Sequence, residues 1–389
     1  MDPMATILIQ NARVVTPTGT WERGWILCRD RKIDRLGPGD APIFDSVEII
    51  DGRGMTLLPG FIDVHVHGGV GYDTMDATTE GLRNMAQFYA RHGVTSFLAT
   101  TWTDTKERIQ SALAAIALAQ GQQPNGATLL GAHLEGPYLN QARSGAQNTT
   151  YIRRASRDEA LMFLDMNVIR LLALAPEFEE NRWLIRECSR RGVTVSAAHT
   201  SATFEEMSEA VALGLSQATH TFNAMTGLHH REPGTLGAAM ALPEIACELI
   251  SDNIHVHPAA MKILWRVKGR DRVILITDSI RGAGMPDGEY RIDERLIFVR
   301  DGMAVLPDGT LAGSILTMDK ALHNFMKATG EPVDNVWRAS SLNAARAIHV
   351  SARKGSLEAG KDADVVLVDG QVNVFLTIAE GRIVYRKDI

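Results

Sequence analysis

From about residue 57 to about residue 348, short apolar runs alternate with segments of helical periodicity, the pattern of βαβ units around a parallel sheet. Eight runs are present: Phe61–His67, Val94–Thr101, Leu129–Glu135, Val168–Ala175, Val193–His199, Ala218–Phe222, Ala246–Ser251 and Val273–Asp278. Eight is the number that closes a (β/α)8 TIM-like barrel. Helices are signalled between them. Leu82, Met85, Ala86 and Tyr89 form an i, i+3, i+4, i+7 stripe, and Thr203 with Glu206 forms a capping box ahead of a C-terminal Gly214. The rival, an open doubly wound sheet, usually carries a Gly-rich phosphate loop after its first strand. The nearest candidate, Gly68-Gly69-Val70-Gly71, follows two histidines and leads into Tyr72-Asp73-Thr74 with no immediate helix.

Both ends differ from the middle. Thr6–Ile9, Arg13–Val15 and Trp25–Cys28 near the N-terminus, and Asp364–Val368, Asn373–Leu376 and Arg382–Tyr385 near the C-terminus, are strand-like runs separated by turn residues. They predict a small β-sandwich domain assembled from residues 1–56 and 349–389 around a barrel of residues 57–348. Residues 282–313 read as an inserted hairpin, with Asp301-Gly302 turning between Ile297–Val299 and Met303–Leu306.

A chain of 389 residues exceeds one ordinary core, and its 45% hydrophobic content can fill a large one, which excludes disorder. The formal charge of −6 provides no basic footprint, so neither nucleic acid nor an anionic membrane is an expected partner. Cys28, Cys188 and Cys247 are far apart and odd in number, as in a reducing compartment. Met1-Asp2-Pro3-Met4 has no basic leader, no run reaches the roughly 18 apolar residues of a membrane span, and a cytoplasmic location is expected, with Met4 a candidate natural start.

In a barrel, reactive groups collect at the C-terminal ends of the strands. His65 and His67, Glu135 after His133, His199, His220 and Asp278 all fall at or near such ends. His-x-His on a strand places two imidazoles on one face, where both reach one ion. Independent core histidines have no reason to gather at one rim, so a metal centre is expected. Glu135, in an apolar run, needs a cation or partner, and ligation is preferred over a structural salt bridge. Asp278 has no following helix to cap, which favours a general base near an activated water. His229, His230 and His257 are expected in solvent or in supporting positions, Glu177 in a structural hydrogen bond as readily as at the mouth, and the tryptophans in core or interface.

Pro59-Gly60-Phe61-Ile62-Asp63-Val64-His65-Val66-His67-Gly68 resembles the first-strand signature of the amidohydrolase superfamily. His133-Leu134-Glu135-Gly136-Pro137, His220-Thr221-Phe222-Asn223-Ala224-Met225, Arg231-Glu232-Pro233-Gly234, Thr277-Asp278 and Leu311-Ala312-Gly313-Ser314 are similar to blocks of its N-acetylglucosamine-6-phosphate deacetylase branch. The resemblance runs from about residue 6 to 385. It implies metal ligation by Glu135, His199 and His220, with His65 and His67 available for a second ion, hence one or two divalent ions of Zn or Fe. It also implies Asp278 as general base and then acid, and a phosphorylated amino sugar held by Ala146, Gln147, Asn223, Ala224, Arg231, His255, Leu311, Ala312 and Gly313. Some relatives carry amides in place of the first two histidines, and some carry histidine where Gln147 stands. A homodimer is implied, with Arg231 supplied by its own or the neighbouring subunit. Among other hydrolases, dihydroorotase-like enzymes bridge two metals with a carboxylated barrel lysine, and no lysine lies in the third to fifth runs. A non-catalytic scaffold would have lost ligands that are intact here.

Overall fold

The computed structural model describes residues 6–387, so the reading of Met1 to Met4 lies outside the described residues. The chain opens with β1 (Ile7–Thr16), β2 (Gly19–Arg29), β3 (Lys32–Pro38), β4 (Glu48–Asp51) and β5 (Thr56–Pro59). The expected runs Thr6–Ile9 and Arg13–Val15 belong to one strand. Asn11, at φ 54°, sits in a register shift between Ile9 and Ala12, and pairing with β2 continues on both sides of it.

At Gly60 the chain enters the barrel. β6 (Phe61–Val66) is followed by the short pair β7 (Gly68–Gly69) and β8 (Tyr72–Asp73), then by α1 (Thr79–Arg91), β9 (Val94–Thr100), α2 (Lys106–Ala119) and β10 (Thr128–Glu135). Next come α3 (Arg157–Asp165), β11 (Ile169–Leu174), α4 (Glu179–Arg190), β12 (Thr194–Ala197), α5 (Phe204–Leu213) and β13 (Leu215–Ala218). The series ends with α6 (Gly234–Ala241), β14 (Ala246–Ile250), α7 (Pro258–Lys268) and β15 (Val273–Ile276). The barrel strands pair in parallel in chain order from β6 through β9 to β15. Closure comes from the first and last strands: Val66 bridges Ser279, the Asp278 amide donates to the His65 carbonyl at 2.9 Å, and the His67 amide donates to the Ser279 carbonyl at 2.8 Å. An open doubly wound sheet would leave those edges apart.

The helical stripe of α1 is buried as its spacing predicts, and Thr203, Glu206 and Gly214 cap α5 as expected. The sixth run is displaced. The strand is Leu215–Ala218, not Ala218–Phe222, because His220 and Phe222 take positive φ values of 31° and 86°, which a β ladder does not admit. The insertion has three strands instead of two: β16 (Gly288–Ile292), β17 (Arg295–Arg300) and β18 (Met303–Val305). Asp301-Gly302 forms the expected turn, both residues at positive φ, and a second turn at Asp293 makes the extra hairpin.

After the insertion, α8 (Met318–Thr329), α9 (Val333–Val336) and α10 (Leu342–Ala347) complete the helical layer. β19 (Val365–Val368), β20 (Val374–Ala379) and β21 (Arg382–Arg386) return to the N-terminal strands. β19 pairs with β5, and β5 with β1, so both termini share one sheet in the order β21-β20-β19-β5-β1-β2-β3, with β4 also on β1. Ile9, Ile26, Leu57, Val365 and Leu376 meet in one apolar cluster, giving this layer the enclosed core expected of a sandwich although its strands are hydrogen-bonded continuously. Among the described residues, no helix is long and apolar enough to cross a membrane.

Candidate metal centre and active site

Strand geometry places only part of the site. His65 lies on β6, and Glu135 is the last residue of β10. His199, His220 and Asp278 stand two residues beyond β12, β13 and β15, at φ 44°, 31° and 52°. Positive φ is uncommon outside glycine and is held only where the surroundings enforce it. Here it ends each strand and leaves the side chain at the barrel mouth.

The donor atoms converge in two groups, His65, His67 and Asp278 in one and Glu135, His199 and His220 in the other, all buried, with the ligand atoms of each group within 4.8 Å of one another. Glu135 joins them. Its Oε1 is 3.3 Å from His199 Nε2 and 3.2 Å from His220 Nε2, while Oε2 is 3.2 Å from His67 Nε2 and 3.6 Å from His65 Nε2. Asp278 Oδ1 is 3.4 Å from His65 Nε2 and 3.3 Å from His67 Nε2.

Three observations show that the set fits a divalent ion. His65 Nε2 and Glu135 Oε1 are buried with no well-formed hydrogen bond. His199 Nε2 and His220 Nε2 face each other at 3.1 Å, a contact that a shared cation resolves. His199 Nδ1 donates to the Arg143 carbonyl at 2.8 Å, which leaves Nε2 as the lone pair. Electrostatics agree. Burial pushes Glu135 upward, yet the imidazoles of His65, His199 and His220 around it hold it well below the usual carboxylate range. Burial likewise raises Asp278, and the neighbouring His65 and His67 rings bring it below its ordinary value. Two carboxylate anions among imidazoles are the donors that borderline cations take.

Above the donors lies a cavity of about 230 Å³. His67, Glu135, His199, His220 and Asp278 line it, together with Ala146, Gln147, Asn223, Ala224, His255, Leu311 and Gly313. Gln147 supports Glu135: its Nε2 donates to Glu135 Oε2 at 2.8 Å, and its Oε1 accepts from the Thr103 amide at 2.9 Å. His255 Nδ1 pairs with Asp252 Oδ2 at 2.6 Å, leaving Nε2 as the other ring nitrogen.

Three of the expected site residues, one a metal ligand and two substrate contacts, do not line the cavity. His65 is the fully buried member of the donor set, and Ala312 is fully buried beside its neighbours. Arg231 is exposed on the loop before α6, where Nη1 contacts His230 Nε2 at 2.8 Å. Conversely, Trp102, Ile250 and Thr310 line the cavity without a sequence signal. Trp102 stacks on His67 at 3.8 Å and 20°, so it belongs to the site and not only to the core. Two further buried carboxylates were invisible in the sequence because they sit mid-strand. Asp63 accepts from Thr277 Oγ1 at 2.7 Å and is pushed up to about 7 by burial. Glu248, on β14, meets His65 Nδ1 at 3.0 Å. Glu177 is structural, accepting from Asn140 Nδ2 and the Ser201 amide at 2.7 Å each. His257 caps α7, and His229 and His230 are exposed.

A profile of the amidohydrolase family matches residues 56–384. N-acetylglucosamine-6-phosphate deacetylase of Lysinibacillus sphaericus is 39% identical over 380 residues, 97% of each chain. N-acetylgalactosamine-6-phosphate deacetylase of Escherichia coli O157:H7 is 37% identical over 365 residues, 93% of this chain and 96% of the relative. The crystal structure of N-acetylglucosamine-6-phosphate deacetylase from Thermotoga maritima superposes with a TM-score of 0.89 at 34% identity, covering 98% of this chain and 100% of that one.

Proposed function

The chain belongs to the amidohydrolase family, and we propose that it hydrolyses the N-acetyl amide of N-acetylglucosamine 6-phosphate to glucosamine 6-phosphate and acetate. The observation that carries this reading is the meeting of six buried donors, with Glu135 shared between the two groups, under a cavity of about 230 Å³. Glu135, His199 and His220 would hold one divalent ion, and His65, His67 and Asp278 a second, Zn and Fe both suiting such donors. When bound, such an ion supplies Lewis-acid polarisation of the amide carbonyl and acidifies water near neutral pH.

The remaining work belongs to the side chains. Asp278, an anion at the mouth, takes the proton of the attacking water and returns it to the amine nitrogen, which must leave neutral. Gln147 keeps Glu135 in place. Trp102, stacked on His67, walls the cavity beside the reacting centre. The phosphate requires cationic donors, and no lysine or arginine lines the cavity among the described residues. His255 supplies one polar group. Arg231 would supply the guanidinium fork from a second copy of the chain, since in its own copy it is exposed outside the cavity. A homodimer is thus part of the proposal.

The galactosamine epimer is the second reading, supported by the Escherichia coli relative. Acetate release is to be measured on N-acetylglucosamine 6-phosphate, its galactosamine epimer and both unphosphorylated sugars, with metal analysis of the same sample. Hydrolysis of the glucosamine phosphate with the highest kcat/KM supports the first reading, highest efficiency on the epimer supports the second, and no release from any of the four rejects both.

A further inference from the structure

Glu248 takes no part in the chemistry described above, yet its carboxylate lies inside the barrel wall with no exposure at all. Among the described residues, no lysine or arginine pairs with it. Its partners are three donors, one on β6, one on β13 and one just beyond β13. Oε2 accepts from His65 Nδ1 at 3.0 Å and from the His220 amide at 3.3 Å, and Oε1 accepts from Gln217 Nε2. One carboxylate therefore touches a residue of each donor group.

The consequence for the two residues differs. His220 meets Glu248 only through its backbone, so its ring does not depend on that contact. His65 meets it through Nδ1, and a ring nitrogen that donates to a carboxylate leaves the opposite nitrogen as a lone pair. That opposite atom, Nε2, is the one facing Glu135 and Asp278 and lacking a well-formed hydrogen bond. His67 is oriented otherwise. Its Nδ1 has no hydrogen-bond partner, and its ring is held by stacking on Trp102. His65 has edge or tilted ring contacts with His133, His67 and His220, at 4.5, 5.3 and 5.8 Å between centroids, and none of them distinguishes one ring flip from the other.

We propose that Glu248 is a positioning residue that holds His65 with Nε2 toward Asp278, and that the ability of His65, His67 and Asp278 to keep a second divalent ion depends on it. The inference rests on the reading of both groups as ion sites, and the experiment separates the two. Wild-type, Glu248→Gln and Glu248→Leu proteins are loaded with Co²⁺, dialysed and assayed for bound cobalt and for its visible absorption, with thermal melting as the check on folding. Wild type is expected to hold two equivalents. Glu248→Leu should retain one, with unchanged absorption from the ion at Glu135, His199 and His220, and should bind the second about 10–100-fold more weakly, the usual effect of losing a supporting partner. Glu248→Gln, whose amide oxygen still accepts from Nδ1, should fall between. Two equivalents held with wild-type affinity in Glu248→Leu overturn the proposal, as does loss of both ions together. Should Glu248→Leu fail to fold, wild-type affinity for the second ion in Glu248→Gln overturns it equally. A wild type that holds one ion, lost on Glu135→Ala, overturns this inference and leaves the proposed function standing; a wild type that holds none overturns both.

Discussion

Replacing Asp278 by asparagine tests the proposed chemistry with the least disturbance to the fold. Asp278 has φ 52°, in the left-handed region that asparagine adopts at less cost than alanine, so Asp278→Asn keeps volume and backbone where Asp278→Ala would add strain. Its Oδ1 lies 3.3 to 3.4 Å from the Nε2 atoms of His67 and His65, and the variant keeps a neutral carbonyl oxygen there. What it loses is proton affinity. A positioned acid or base contributes about 10²–10⁴ in rate. Asp278 is used in both directions, so we expect kcat to fall about 10³–10⁵-fold, or about 4–7 kcal/mol at 1.36 kcal/mol per decade. KM should change little. Initial rates of acetate release at saturating substrate, with metal analysis of the same preparation, give both quantities. A kcat within tenfold of wild type, metal content unchanged, would refute the assignment of both proton transfers to Asp278.

Glu135→Ala and His199→Ala are each expected to lose tightly bound metal along with activity; unchanged stoichiometry in both after dialysis would place the ion elsewhere. Arg231→Ala should raise KM for the phosphorylated sugar at least tenfold and leave hydrolysis of the unphosphorylated sugar nearly unchanged, and mixed dimers of Arg231→Ala with Asp278→Asn chains should recover activity; verified heterodimers without activity would argue against supply across an interface. Lys354 is buried against Asp364, Glu380 and Asp362 at 2.7, 3.1 and 3.2 Å, so Lys354→Met should lower unfolding free energy by about 3–5 kcal/mol in urea, an effect that a loss under 1 kcal/mol would contradict. Glu187 is held down to about 2 by hydrogen bonds from Arg190 and Arg191. Because its folded value is depressed, its stabilisation is present above its unfolded value near 4.3 and lost as pH falls towards 2. The pairs lie near the surface, so Glu187→Gln should cost no more than about 1 kcal/mol at pH 7, with the difference shrinking below about pH 4 and vanishing only below about pH 2.

The barrel and the strand layer at its side were legible because local rules carry them. Helical stripes such as Leu82, Met85, Ala86 and Tyr89, apolar runs of strand length and turn pairs such as Asp301-Gly302 state their conformation within a few residues. The same holds for the position of Glu135 and of His65 and His67 at the end of β6, since strand periodicity and barrel polarity suffice to put them at one rim. Only the tertiary structure decided where β13 ends, how three positive-φ residues bring His199, His220 and Asp278 to the mouth, and that Glu135 lies between two donor groups. It alone placed Trp102 against His67, Glu248 behind His65 and Arg231 outside its own cavity. The physical reason is range. Periodicity and turn chemistry act between neighbours in the chain, whereas Glu248 and His65 are 183 residues apart and meet only because closure of the barrel sets their strands two places apart, with β15 between them.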